Sequence, residues 1–241
     1  MNRPLIIIAH RGEPGRRENT VAGFLAGIRR GAEWIELDVQ RTADGALVVH
    51  HDFTIGGRPI TRLTLKQAKQ QARRSKHIAL PTLEDVMEAV PERIGLGIEI
   101  KAPGIGAAVL RVLTRHRAVD RALVSSFHWP TIRALAERRP RVRTGILTCS
   151  RLLDPVGDLG RTRAHALCQE HTLADRPLVR AVHGAGFEIH VWTANAPADL
   201  RRMVALGVDG IITDYPARLG RLLGRYPGAM MRAASRGPRG S

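Results

Sequence analysis

Trp34-Ile35-Glu36-Leu37-Asp38-Val39-Gln40 is the stretch that decides the fold. Alternation at period two puts Ile35, Leu37 and Val39 on one face of a strand and Glu36 and Asp38 on the other. The apolar face needs a layer of helices to cover it. The carboxylates then point to the opposite side, into the interior of a barrel, where unpaired charge is costly. A lone Glu-x-Asp on a strand is more often a solvated edge; the apolar face beside it changes that reading here.

Working outward, Leu5 to Ala9 is apolar throughout, as suits a strand covered on both faces. A helix is predicted from about Thr20, capped by Asn19 or Thr20, with Val21, Phe24, Leu25 and Ile28 buried and Gly31 as its stop. Downstream of the central stretch, Thr42-Ala43-Asp44-Gly45 is a turn and residues 46 to 51 read as another strand. That connection is too short for a crossover helix, so the two strands form a hairpin or the chain returns in extended form. Residues 52 to 80 read as a small excursion, with a Gly56-Gly57 turn, a helix opening at Thr64-x-x-Gln67 and a basic segment from Arg73 to His77.

Thr82-x-x-Asp85 then resembles a capping box, followed by Leu83, Val86, Met87 and Val90 at helical spacing. Further strands are predicted at 96–101, 123–127, 142–148, 164–169, 188–193 and 210–213. Pro130, Pro177 and Pro197 open helices between them, and Gly186 and Gly207 follow helical stretches. Strands alternating with helices along the chain predict an α/β fold, a (β/α)8 TIM barrel with a small insertion after the third strand. Nine candidate strands are one too many for that ring, so either 46–51 or 164–169 lies outside it. The expectation is one domain over residues 1 to 225 and a flexible basic tail over 226 to 241.

Lys and Arg number 38 against 22 Asp and Glu, a net charge of +16 that concentrates anionic partners. Phosphate-bearing substrates, nucleic acid and anionic membrane all fit that sign. Arg29, Arg30, Arg73, Arg74, Arg138, Arg139, Arg201 and Arg202 read as solvated helix faces. Cys149 and Cys168 lack metal-ligand spacing and read as reduced core residues. Leu5 to Ala9 is too short for a signal or membrane-spanning segment, so a cytoplasmic location is expected, without stable membrane insertion.

In such a barrel, chemistry comes from the C-terminal ends of strands and the loops after them. His10 and Arg11 end the first strand, Glu36 and Asp38 lie late in the second, and His51 and Asp52 end the next run. Glu99 and Lys101 end the strand after that. Carboxylates converging from Glu36, Asp38 and Glu99 would repel one another, and hard-oxygen ligation of Mg²⁺ or Ca²⁺ would relieve the repulsion. Cleaving a phosphodiester needs proton removal, proton delivery and charge stabilisation; His10, His51, Arg11 and Lys101 together supply all three. His50 points to the other side of its strand and reads as structural.

These residues form a family pattern. Ala9-His10-Arg11-Gly12, Glu18-Asn19-Thr20, residues 31 to 39, Asp44-Gly45 and Val48-Val49-His50-His51-Asp52 strongly resemble the glycerophosphodiester phosphodiesterase family. The later blocks Pro81 to Asp85, Glu99-Ile100-Lys101, Ser125-Ser126-Phe127, Val191 to Asn195 and Gly207 to Pro216 are similar as well. The resemblance implies a metal on Glu36, Asp38 and Glu99, an acid and base pair in His10 and His51, and phosphate held by Arg11 and Lys101. It also implies support from Glu18 and Asn19, with Glu18 either near the metal or orienting Arg11. Trp192 lines the alcohol pocket or packs the barrel. Two departures, Arg17 where a proline commonly precedes the Glu-Asn pair and the compact 52–80 excursion, bear on substrate preference.

The implied activity is metal-dependent hydrolysis of a small glycerophosphodiester to sn-glycerol 3-phosphate and an alcohol. A phospholipase of lysophospholipase D type on the same barrel is the enzymatic alternative, disfavoured by an aromatic content of 4% and no amphipathic aromatic helix. A nucleic-acid-binding protein would suit the charge but lacks stacking aromatics on strands and leaves the enclosed carboxylates unexplained. A catalytically dead scaffold is disfavoured because every charged position of the pattern is filled.

Overall fold

The computed structural model describes residues 4–15, 17–76, 79–138 and 142–225. The sequence-predicted tail at 226–241, Arg139 and His77 lie outside the described residues. In chain order the strands are β1 (Ile6–Ala9), β2 (Trp34–Arg41), β3 (Leu47–Val49), β4 (Thr54–Ile55), β5 (Arg58–Pro59) and β6 (Gly95–Ile100). They continue with β7 (Ala122–Ser126), β8 (Arg143–Thr148), β9 (Ala166–Glu170), β10 (Glu188–Trp192) and β11 (Gly210–Thr213). The helices are α1 (Val21–Arg29), α2 (Leu65–Lys76), α3 (Leu83–Ala89), α4 (Gly106–Arg115) and α5 (Trp129–Glu137). Then come α6 (Pro155–Thr162), α7 (Arg176–Gly184), α8 (Pro197–Leu206) and α9 (Pro216–Leu222).

Strand β1 pairs in parallel with both β2 and β11, with Ile8 beside Trp34 and Ile7 beside Ile211. From β2 the parallel pairing runs through β6, β7, β8, β9 and β10 to β11. The ring closes with eight strands, as a (β/α)8 barrel does. Strand β3 runs antiparallel to β2 with Val49 opposite Val39, so the 46–51 run is the hairpin arm outside the ring. The 164–169 run belongs inside, starting at Ala166 rather than Ala164.

Alternation sorts the core into layers. Ile35, Leu37, Val39, Leu96, Ile98 and Ile100 face outward and pack with Phe24, Leu83, Val86, Val109 and Leu113. On the other half, Ile7, Ile146, Leu167, Ile189 and Ile211 pack with Ile132, Leu159, Val182, Leu200 and Met203. Each fully buried aliphatic side chain contributes about 1.5–3 kcal/mol. The 52–80 insertion buries Ile55, Ile60, Leu63, Ala68 and Ala72 against Val48 of β3. The capping box at the start of α3 forms as predicted: Thr82 Oγ1 accepts from Asp85 N, and an Asp85 oxygen accepts from Thr82 N.

Helix α1 departs from its predicted face. Phe24 is buried, but Val21, Leu25 and Ile28 are only half-buried, while Gly23, Ala26 and Gly27 are buried. Close approach explains this: a Cβ on Gly27 would lie 2.8 Å from the Gly12 oxygen and 3.0 Å from the Ala9 Cβ. Gly12 has φ +83°, and a Cβ on it would lie 2.6 Å from Phe24 N. Only glycine meets both demands, so α1 clamps the loop that carries His10 and Arg11.

Candidate active site

The C-terminal ends of the strands form a cavity of about 250 Å³ lined by His10, Arg11, Glu36, His51, Glu99, Lys101 and an apolar wall. Ligand oxygens of Glu36, Asp38 and Glu99 lie within 4.8 Å of one another. Asp38 and Glu99 are register partners on β2 and β6, and Glu36 stands two residues before Asp38 on the same face. Asp38 is 1% exposed and Glu36 8%, so their charges are held away from water.

Cations gather around these acids. Lys101 Nζ lies 2.9 Å from Glu99 Oε1 and 3.5 Å from Asp38 Oδ1. Arg11 Nε lies 3.2 Å from Asp38 Oδ2, and the Arg11 backbone N–H donates to Glu36 Oε2 at 3.1 Å. Two cations do not balance the cluster. Burial, then the charges of Asp38 and Glu99, push the Glu36 carboxyl well above its usual range. Burial and the charge of Asp38 push Glu99 up, against the opposing pull of Lys101. Burial would lower Lys101, but Glu99 and Asp38 outweigh it and its pKa rises.

Asn19 and Glu18 both contact residues of this cluster. Asn19 Nδ2 donates to Asp38 Oδ2 at 2.8 Å, and its Oδ1 accepts from Asp38 N at 3.2 Å. Glu18 Oε2 lies 3.6 Å from Arg11 Nη1. Arg11 and Asn19 have φ of 51° and 55°, and Asn19 N donates to the Arg11 carbonyl at 2.9 Å. Left-handed backbone at non-glycine residues is costly and collects at functional sites.

Both histidines line the cavity, each beside an aspartate. His10 Nδ1 is 2.8 Å from Asp214 Oδ1, and His51 Nδ1 is 3.0 Å from Asp52 Oδ1. His51 does not end a barrel strand, because β3 stops at Val49 and the turn after it delivers the ring to the mouth. His50 is buried, and its backbone N–H donates to the Asp38 carbonyl at 2.9 Å. Trp192 lines the cavity, and its indole N–H donates to the Cys168 carbonyl at 2.9 Å. Phe127 meets it edge-on with ring centroids 5.5 Å apart.

Three residues that fall in the quoted blocks but were given no role belong here. Asp214 holds His10, Asn195 donates to Asp214 Oδ2 at 2.6 Å, and Phe127 walls the cavity. All three sit just past the ends of barrel strands, which was the available signal. Burial alone would raise the Asp214 pKa, but the hydrogen bond and charge of His10 hold it below its usual range.

The profile of the glycerophosphoryl diester phosphodiesterase family matches residues 10–218. The chain belongs to this family. A glycerophosphodiester phosphodiesterase from Caldanaerobacter subterraneus is 33% identical over 89% of this chain and 96% of its own length. The structure of a glycerophosphodiester phosphodiesterase from Thermotoga maritima has a TM-score of 0.77 and 25% identity, covering 91% of this chain and 99% of that one. An Oleispira antarctica phosphodiesterase, solved with the product sn-glycerol-3-phosphate, shares the fold with a TM-score of 0.83 at 24% identity, covering 92% and 97%. The family membership and the barrel agree with the sequence reading. Among the described residues, no helix is long and apolar enough to cross a membrane.

Proposed function

We propose that this chain hydrolyses small glycerophosphodiesters to sn-glycerol 3-phosphate and an alcohol, with a divalent cation, Mg²⁺ or Ca²⁺, held by Glu36, Asp38 and Glu99. The observation that carries the reading is the three carboxylate oxygens within 4.8 Å of one another, two of them, on Glu36 and Glu99, from residues lining a cavity that also presents two imidazoles, a guanidinium and an ammonium. The donor set fits a hard cation, being all oxygen with no thiolate or imidazole in the cluster. The upward push on Glu36 and Glu99 fits it as well, since burial first and then the neighbouring carboxylate charges disfavour their ionised forms, and a cation between them would favour those forms. When bound, the cation supplies Lewis-acid polarisation of a phosphoryl oxygen.

The chain's own residues do the rest. Arg11 and Lys101 both pair with Asp38, and we assign both to a phosphate oxygen, where they would offset the negative charge on the phosphoryl oxygens. One of His10 and His51 takes the proton of the attacking hydroxyl: water gives glycerol 3-phosphate directly, whereas the glycerol hydroxyl next to the phosphate gives a cyclic phosphate that a second attack, by water, opens to glycerol 3-phosphate. The other gives a proton to the departing alkoxide, so the P–O bond that breaks releases a neutral alcohol. Phe127, Trp192, Leu147 and Ile212 present an apolar wall to the cavity and exclude water from one side. A cavity of about 250 Å³ suits a small head group. We propose a cytoplasmic setting and no nucleic-acid partner.

Purified protein assayed with a panel of glycerophosphodiesters, with and without Mg²⁺ or Ca²⁺, tests this through coupled detection of glycerol 3-phosphate. Metal-dependent release from glycerophosphocholine or a similar diester is expected. Release of choline from lysophosphatidylcholine with no turnover of the deacylated diesters would replace this reading by the lysophospholipase D alternative.

A further inference from the structure

Two histidines share the proton transfers in the proposed reaction, but they are held very differently. The partner of His51 is Asp52, its neighbour in sequence, on a side chain 53% exposed. The partner of His10 is Asp214, 204 residues away at the end of β11, and 22% exposed. Asp214 is itself held: its Oδ2 accepts from Asn195 Nδ2 at 2.6 Å, and its backbone N–H donates to Asn195 Oδ1 at 2.9 Å. The Thr213 hydroxyl donates to the same Asn195 Oδ1 at 3.1 Å. Two donors on Oδ1 and one acceptor at Nδ2 leave a single orientation for the Asn195 amide. Arg218 closes the arrangement, donating to the Asn195 carbonyl and stacking on Tyr215 at 4.2 Å.

An ionised carboxylate only accepts hydrogen bonds, so Nδ1 of His10 must carry the proton that joins it to Asp214. In the neutral ring the lone pair then resides on Nε2. We propose that Asp214 and Asn195 are positioning residues, Asn195 clamping the Asp214 carboxylate so that it fixes the His10 ring in the tautomer whose Nε2 transfers the proton. This rests on the assignment of His10 to acid–base chemistry. A plain alternative is a structural tie between the ends of β1, β10 and β11.

The decisive variant is Asp214→Asn, which keeps the shape and removes the charge. Asn195 Nδ2 still requires an oxygen at the Oδ2 position, so the new amide nitrogen is forced toward His10, where it donates and favours the other tautomer. With glycerophosphocholine and saturating Mg²⁺ or Ca²⁺, kcat is expected to fall on the order of 100- to 1,000-fold with KM changed by less than about threefold. Asn195→Ala should cost about tenfold in kcat. Nitrogen-15 spectra of the His10 ring should show Nδ1 protonated in the wild type and a shift toward Nε2 protonation in Asp214→Asn. In a His10→Ala background, Asp214→Asn should change residual turnover by less than about twofold, because its target is gone.

An Asp214→Asn enzyme that keeps its kcat within about threefold, or an unchanged His10 tautomer, overturns the inference while leaving the proposed reaction intact. So does an equal further loss in the His10→Ala background. Near-normal turnover by His10→Ala alone removes His10 from the reaction, and this inference falls with it.

Discussion

The barrel interior holds ionic groups at both ends, and they are built on opposite principles. At the base, where β8 and β10 begin, Arg143 pairs with Glu188, and the same carboxylate lies 3.2 Å from His190 Nε2. His165 nearby is pushed below its ordinary pKa by burial and then by Arg143, which favours the neutral ring. Small residues fill the remaining space, as at Gly95, where a Cβ would lie 2.2 Å from the Trp34 ring. At the mouth, Glu36, Asp38 and Glu99 converge within 4.8 Å, and Arg11 is shared between Asp38 and Glu18. Charge matched in place at the base is architecture; the raised carboxyls at the mouth oppose folding at neutral pH and fit the proposed cation.

Variants at the mouth should therefore damage turnover and spare the fold. His10→Ala is expected to lower kcat on the order of 100- to 10,000-fold while the thermal transition stays cooperative. Glu36→Gln should abolish metal-dependent turnover and at the same time raise the melting temperature of metal-free protein at neutral pH. The sign follows from linkage: a carboxyl whose folded pKa lies above its unfolded value costs stability as pH rises through that window, and Gln removes the cost. A lower melting temperature for metal-free Glu36→Gln would erase the contrast between the two ends.

Variants at the base should do the reverse. Gly95→Ala forces a methyl against Trp34 and is expected to cost about 1–3 kcal/mol in denaturant unfolding, with kcat per folded molecule unchanged. Glu188→Gln should cost about 1–3 kcal/mol, less than a fully buried pair because Arg143 is 30% exposed. Loss of turnover without loss of stability in either variant would make the base part of the reaction machinery.

The smallest effect lies outside both ends. Thr82→Ala removes the side-chain cap of α3 and should cost about 1 kcal/mol. Burial would raise the Asp85 pKa, but the hydrogen bonds from Thr82 outweigh it and the net shift is downward from 3.8. A depressed carboxyl stabilises the fold above its unfolded pKa and loses that contribution as pH falls through the folded value. The stability gap between wild type and Asp85→Asn should therefore narrow between pH 5 and pH 3, as read by urea unfolding.

The two ends also differ in how far the sequence revealed them. Glu36, Asp38 and Glu99 were legible because each alternates with apolar neighbours that fix its face, and the strand ends say where the mouth is. Arg143 and Glu188 alternate in the same way, but pairing at a barrel base depends on which strands become neighbours across the interior. Asp214 was quoted within the last block and given no role, because its contact with His10 exists only once β11 closes against β1. The face of α1 was misjudged because close packing of Gly23 and Gly27 on the β1 loop carries no hydrophobic signal. The hairpin at β3 could not be separated from an extended return by length alone.

Calorimetric titration of chelator-stripped protein with Mg²⁺ or Ca²⁺, followed in parallel by release of glycerol 3-phosphate, bears most directly on the three acids at the mouth. The expected result is no turnover before titration, a single ion bound per chain, recovery of activity along the same saturation curve, and neither binding nor recovery in Glu36→Gln. Full turnover in the presence of excess chelator, or unaltered ion binding by Glu36→Gln, would contradict it.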